Sequence, residues 1–290
     1  VILSNWIQLT KSTERHYDPA DETRFQQSTT TYFYDTRNVG HLQVSRTETT
    51  RSDGSTLVNS TTYPADYSTV TTGPLAAMHT DAVYQHAVPV ESLTQVYAAG
   101  QTLADARTVA GSYTEYTQPT TSSQFLPATI STLELAQPAT QLAAAAPSLP
   151  ARGRYVRRQK VLYDPATANV RQQQPEHGSP MVYLWGYGST LPVAQIKNAS
   201  LAQVQAALSV DVNTLTTDQQ LRDACQQLRQ RLPQAQVTSF TYQPLVGLTS
   251  QTDPSGRTTT YEYDGLGRLL RTRDERGRIL SQQQYHYAGK

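Results

Sequence analysis

A spacing of about 21 residues governs the C-terminal end of this chain. Tyr242 and Tyr263 stand 21 positions apart, as do Asp253 and Asp274, and Tyr285 follows Tyr263 by 22. Between and beyond the tyrosines lie three Asp-x-x-Gly segments: Asp253-Pro254-Ser255-Gly256, Asp264-Gly265-Leu266-Gly267 and Asp274-Glu275-Arg276-Gly277. An Asp in the first turn position accepts hydrogen bonds from nearby N–H groups, and a Gly in the fourth takes up left-handed backbone. Tyrosine-bearing strands therefore alternate with tight turns, which is the pattern of a repeating antiparallel meander.

The composition suits such a sheet. The chain has 18 Tyr against 4 Phe. Tyr and Thr fit half-buried strands, because each has an apolar body and a polar tip. A hydrophobic fraction of 37% is low for a dense core and points to a thin, broad sheet. The net charge of +1, from 24 basic and 23 acidic residues, argues against a nucleic-acid clamp. Arg supplies 20 of the 24 basic residues, a bias that favours bidentate pairing with Asp and Glu across strands. Cys225 is the one cysteine, so no intrachain disulfide forms. No apolar run reaches the roughly 18 residues of a membrane-spanning helix.

In chain order, residues 1–133 read as a degenerate version of the same meander. Tyr32 and Tyr34 share a strand face, and Ser52-Asp53-Gly54-Ser55 turns into a returning strand from Thr56 to Tyr63. Leu75, Met78, Ala82 and Val83 predict a short helix near 75–87. His79 and His86 lie seven apart on it; with no third ligand or carboxylate cluster nearby they read as polar surface positions, not a metal site. Strands resume over 90–117, with Gly100 and Gly111 in turns. The Ala/Pro-rich tract 134–153 reads as a surface loop or linker, the least ordered part, and deletion of residues 136–148 is expected to leave the fold intact. Residues 154–199 form a β segment. Its basic run (Arg154, Arg157, Arg158 and Lys160, with Arg152 just before) reads as a solvated strand edge. Residues 200–232 are a helical hairpin. Its first helix runs from an Asn198 or Ser200 cap to about Ser209, and its second has a Thr217–Gln220 capping box and stops before Pro233. Leu221, Cys225, Leu228 and Leu232 share one face of the second helix, making Cys225 a buried thiol and no nucleophile. Residues 233–290 hold the clear repeats.

Two stretches carry a family resemblance. Tyr261-Glu262-Tyr263-Asp264-Gly265-Leu266-Gly267-Arg268-Leu269 resembles the core motif of RHS/YD-repeat proteins, with Gly256 to Thr260 as its lead-in strand. Tyr183-Leu184-Trp185-Gly186-Tyr187, followed by Leu191 to Ala199, resembles a segment found upstream of the last repeats in Bacteroidetes members. The resemblance implies a mainly β fold: an antiparallel YD-repeat meander forming part of a curved sheet or shell, with a small helical hairpin insert. It implies a bacterial protein, secreted or on the outer cell surface, and in one branch a shell around a C-terminal toxin. The repeat-defining positions are then Tyr242, Asp253, Gly256, Tyr261, Tyr263, Asp264, Gly267, Arg268, Asp274, Gly277, Tyr285 and Tyr287, with Trp185 and Gly186 in the upstream motif.

The residues offer no catalytic signature: no nucleophile elbow, no metalloprotease helix, no phosphate or dinucleotide loop. The expectation is a non-catalytic structural segment for encapsulation or surface contact, needing no cofactor or metal. Its main partner is the rest of its own parent chain, and the sequence, which begins at Val1, reads as a piece of a longer protein that is either cut at Lys290 or ends there on its last repeat. The rival reading is a carbohydrate- or cell-surface-binding module that uses exposed tyrosines as stacking platforms for glycans.

Overall fold

In the computed structural model, residues 7–34, 42–79, 85–120, 123–151 and 153–285 are described. Among the described residues, sixteen strands follow one another in chain order, each beside its sequence neighbour, and every pairing with a defined register is antiparallel. The chain divides into two units, 1–159 and 160–290.

The first unit holds β1 (Lys11–Asp18), β2 (Asp21–Tyr34), β3 (Val44–Thr50), β4 (Thr56–Thr62), α1 (Gly73–Met78), β5 (Glu91–Tyr97), β6 (Arg107–Thr117) and β7 (Leu126–Thr132); β8 (Val156–Tyr163) runs through the boundary. Threonines face threonines across this sheet. Hydroxyl pairs join Thr30 to Thr49 at 2.9 Å and Thr50 to Thr56 at 3.2 Å. Such pairs stabilise a strand pair without an apolar core, which explains the Thr-rich composition. The apolar core is small: Tyr67, Leu75, Met78, Val90 and Phe125.

The tract 134–153 has neither helix nor strand of its own, but it is not a free linker. Ala139 bridges Thr108, and the Leu142 N–H donates to the Thr108 hydroxyl at 3.0 Å. The Leu142 carbonyl accepts from the buried Gln95 amide at 2.8 Å. The Ala145 N–H donates to the Glu91 carboxylate, which also accepts from the Tyr155 hydroxyl. Pro147 accepts from Thr69, and Ala146 packs on the small core. The tract is therefore a strap across β5 and β6, held by Glu91, Gln95 and Thr108, which are all buried. These contacts argue against the expectation that residues 136–148 are dispensable: the strap supplies the partners of polar groups that the sheet buries.

Three further expectations change. Gly111 lies inside β6, not in a turn; a Cβ there would sit 2.6 Å from Leu133 Cδ1 and 2.9 Å from Leu93 Cδ2. The basic run is no sheet edge, since β8 stands between β7 and β9 in the strand order. Arg154 reaches Glu91 at 3.8 Å and the Ala143 carbonyl, and Arg158 donates to the Thr132 hydroxyl. The helix near 75–87 ends at Met78, and Ala82 and Val83 lie outside the described residues, as does Arg152.

The second unit continues with β9 (Val170–Pro175), β10 (Met181–Gly186), β11 (Leu191–Lys197), α2 (Leu201–Ala207), α3 (Asp218–Arg231), β12 (Gln236–Gln243), β13 (Gly247–Thr252), β14 (Thr258–Tyr263), β15 (Leu269–Arg273) and β16 (Ile279–Gln282). The helices start where their capping boxes stand, at Ser200/Gln203 and Thr217/Gln220. The first is two residues shorter than expected: the Arg231 guanidinium takes the Ala207 carbonyl at 2.7 Å and closes its end. Leu221, Ala224, Cys225 and Leu228 of α3 are buried, and Cys225 and Leu228 cluster with Val182, Ile196, Val204 and Val237. Arg229 secures the helix to the sheet through the carbonyls of Val237 and Thr252 and the Ser239 hydroxyl.

Glu91→Ala removes the acceptor of Ala145 and Tyr155 and leaves Arg154 facing a buried gap. We expect a loss of about 3 kcal/mol in urea unfolding, the usual scale for breaking a buried charge pair. Glu91→Gln, which keeps an acceptor, should lose clearly less.

Candidate functional site

A half-buried tyrosine places its ring against apolar neighbours and needs a partner for its hydroxyl. Here that need is met in one recurring way. Tyr263, the last residue of β14, donates to the Leu248 carbonyl near the start of β13 at 3.0 Å. Tyr242 at the end of β12 donates to Pro192 in β11 at 3.0 Å, and Tyr285, just past β16, donates to Leu269 in β15 at 2.9 Å. The first unit repeats the device. Tyr34 of β2 reaches Leu9 at 3.2 Å, Tyr63 after β4 reaches Val44 at 2.9 Å, and Tyr116 of β6 reaches Pro89 at 2.7 Å. In β10 a tryptophan takes the role: the Trp185 indole N–H donates to Val170, the first residue of β9, at 2.8 Å. Each even-numbered strand named here thus ends in an aromatic latch onto the start of the strand before it.

At five of these latches a bulge sits just before the aromatic residue. The register with the following strand shifts at Phe33/Tyr34, Glu115/Tyr116, Leu184/Trp185, Thr241/Tyr242 and Glu262/Tyr263. A bulge re-aims a side chain out of the pleat, which lets the ring lie back over the preceding strand. Burial pushes the hydroxyl pKa of Tyr242 and Tyr263 upward, and that of Tyr116 up to about 12. These phenols stay protonated and remain donors.

Gly247 receives the Tyr263 ring. A Cβ at Gly247 would lie 2.6 Å from the Tyr263 hydroxyl oxygen. One repeat on, Arg268 takes the same place: its guanidinium stacks on the Tyr285 ring, 4.4 Å from the centroid. Gly186 is similarly crowded, by Val193.

The Asp-x-x-Gly turns share one geometry. Gly256, Gly267 and Gly277 have φ of +87, +74 and +79°, which a side chain would strain. In the second turn the Asp264 carboxylate accepts from the Leu266 and Arg268 N–H groups, and the Arg268 guanidinium closes on its other oxygen at 2.7 Å. Asp274 holds Arg276, Arg278 and the Arg278 guanidinium in the same way. At Asp253 the Ser255 hydroxyl takes part instead, at 2.7 Å. These bonds hold all three carboxyls below their usual 3.8: the Ser255 hydroxyl for Asp253, the Arg268 N–H for Asp264, and for Asp274 the Arg278 bonds, which outweigh an opposing desolvation.

The structure thus puts Tyr242, Tyr263, Tyr285 and Trp185 in one role and Asp253, Asp264, Asp274 and their glycines in another. Tyr261 pairs with Thr272 in the ladder beside the bulge. Tyr287 lies outside the described residues. Sequence reasoning missed Gly247 and Arg278; the 21-residue offset from Gly247 to Arg268, and from Asp253-to-Arg257 to Asp274-to-Arg278, was the available signal. Cys225 is buried and its thiol is pushed up to about 11 by that burial. Among the described residues no group of three or more His, Cys, Asp or Glu side chains is placed to hold a metal ion.

These features define an antiparallel β-repeat protein built from latched strand pairs. Residues 246–279 match the RHS repeat family. That stretch of the chain is an RHS repeat. Among solved structures it is similar to TcdB2-TccC3-Cdc42, at 11% identity over 94% of this chain and 14% of that one, with a TM-score of 0.52. It is also similar to TcdB2-TccC3 without its hypervariable C-terminal region, at 10% identity over 94% of this chain and 14% of that one, with a TM-score of 0.53. The likeness is one of fold. No curated protein matches the chain.

Tyr263→Phe removes one latch bond and should cost about 1 kcal/mol in chemical unfolding. Gly247→Ala should cost more, because the Tyr263 ring must move. For the turns the linkage sign is set by depressed carboxyl pKa values: their stabilisation is present above 3.8 and is lost as pH falls through the lower folded values. The melting temperature should hold down to about pH 4 and fall below it, and Asp264→Asn with Asp274→Asn should flatten that acid limb.

Proposed function

We propose that the chain is a non-catalytic wall segment of a bacterial RHS/YD-repeat shell, secreted or on the cell surface, that encloses a cargo or makes surface contact. The observation that carries this reading is the latch. Every latch links a strand to the one before it and leaves the next strand free to pair, so the unit adds to itself without a natural limit. The TcdB2-TccC3 structures, in which a similar fold occupies a small part of a long chain, support it. The repeat-defining positions in this reading are Tyr242, Tyr261, Tyr263, Tyr285 and Tyr287, the three turn aspartates with Gly256, Gly267, Gly277 and Arg268, and Trp185 with Gly186.

The polar groups that would have to do chemistry are engaged in structure. The turn aspartates hold N–H groups and guanidinium groups, and the thiol is buried. The reading as exposed tyrosine platforms has less support, because the hydroxyls of Tyr242 and Tyr263 are bonded and their rings are half-buried.

Electron microscopy of the full parent protein tests the proposal. The expected result is a hollow β-walled particle into which this segment fits as part of the wall. A solid particle or an open fibre would overturn it.

A further inference from the structure

We propose that the rim of the second unit's sheet formed by the β12–β13 and β14–β15 turns rests on a lipid surface with zwitterionic headgroups. Two leucines stand at its tips. Leu245 is fully exposed, and Leu266, 21 positions on, is 70% exposed. The two turns touch: a Cβ at Gly267 would lie 3.8 Å from Val246 Cγ1. Neighbouring strands are about 4.8 Å apart, so alternate turns, and the two leucines with them, stand about 10 Å apart along the rim.

Two observations set this rim apart from ordinary surface. First, Leu245 strains the fold without packing in it. The Val246 N–H closes a turn on the Gln243 carbonyl at 3.0 Å, with Pro244 second and Leu245 third, at a φ of +65°. The third position of such a type II turn suits Gly or Asn. A leucine there is strained, and its exposed side chain gains no burial in exchange. Second, charge is sorted between the two rims. Residues 243–247 hold no ionisable side chain, and the two in 264–268, Asp264 and Arg268, close on each other at 2.7 Å. Successive turns of a meander fall on alternate rims, so the β13–β14 and β15–β16 turns lie opposite. They carry Asp253, Arg257, Asp274, Glu275, Arg276 and Arg278.

Area and charge select the occupant. Two leucine side chains fall well short of the roughly 800 Å² that each partner buries in a specific protein–protein interface. A rigid partner would need a matched pocket for each tip, whereas acyl chains close around them without one. An anionic membrane is held by clusters of Lys and Arg, and the one arginine on this rim is paired with Asp264. Zwitterionic headgroups need no such cluster. Each leucine lowered into the interface multiplies the partition coefficient about ten- to a hundredfold. The contact is peripheral, weak and reversible, as a single acyl chain's is. A wall segment with or without this rim has the same sheet, so the failure of this contact leaves the shell reading, which particle shape tests, untouched.

The test is flotation of the whole chain with large unilamellar vesicles of phosphatidylcholine at physiological salt. The expected result is co-flotation that saturates at millimolar lipid. Leu245→Asn, which suits the turn, should weaken binding about tenfold while the melting temperature holds or rises. Leu245→Asn with Leu266→Gln should abolish binding, and Arg276→Gln on the opposite rim should leave it unchanged. No flotation at millimolar lipid overturns the proposal, as does flotation that the double variant retains or that Arg276→Gln removes. Binding confined to vesicles containing phosphatidylserine, and lost in high salt, overturns it by making the contact electrostatic. Self-association without lipid in sedimentation velocity, lost in the double variant, assigns the rim to a second copy of the chain and overturns it too.

Discussion

A hydroxyl that reaches one strand back holds this sheet in register. Strands rich in Thr, Ser and Gln are polar on both faces, and such strands specify their register weakly, since a one-residue slip buries nothing wrong. The aromatic latch removes that freedom. Once the Tyr263 hydroxyl is bonded to Leu248, and Tyr242 to Pro192, a slip of one residue breaks the bond and drives a ring into backbone. At five of the seven latches a bulge beside the aromatic residue re-aims it toward its acceptor. The turns complete the constraint, because an Asp carboxylate that binds two N–H groups of its own turn admits one loop length only.

The latch also explains how so little apolar core suffices. Each unit adds its own cover to the sheet. In the first unit the cover is a strap without regular structure, and the sheet meets it with a buried carboxylate, an amide and a hydroxyl at Glu91, Gln95 and Thr108. In the second the cover is a capped helical hairpin that meets the sheet with Leu, Val and Cys side chains and one guanidinium, Arg229. The polar cover demands that every group find its partner, whereas the apolar one demands only fit.

Trp185 links the two themes of the molecule. It performs the latch of a tyrosine, but its larger ring leaves a face along a cleft beneath the helical insert. A phenol in its place would keep the bond and offer less surface.

Local chemistry determined much of this from sequence. The Asp-x-x-Gly turns, the capping boxes at Ser200 and Thr217, the buried face of Leu221, Cys225 and Leu228, and the alternation around Asp53-Gly54 are all readable because each depends on residues within a few positions of one another. The Tyr spacing told where the strands repeat. It did not tell what the tyrosines do, since their acceptors lie 15 to 50 residues away and are plain backbone carbonyls with no side-chain signature. Gly247 and Gly111 were illegible for a related reason: what crowds them, the Tyr263 ring or Leu133 and Leu93, arrives only when the strands pair. The strap's attachment was not legible, because Ala and Pro describe a tract with no regular structure of its own, and only the buried partners beneath it, Glu91 above all, decide whether such a tract hangs free or is held.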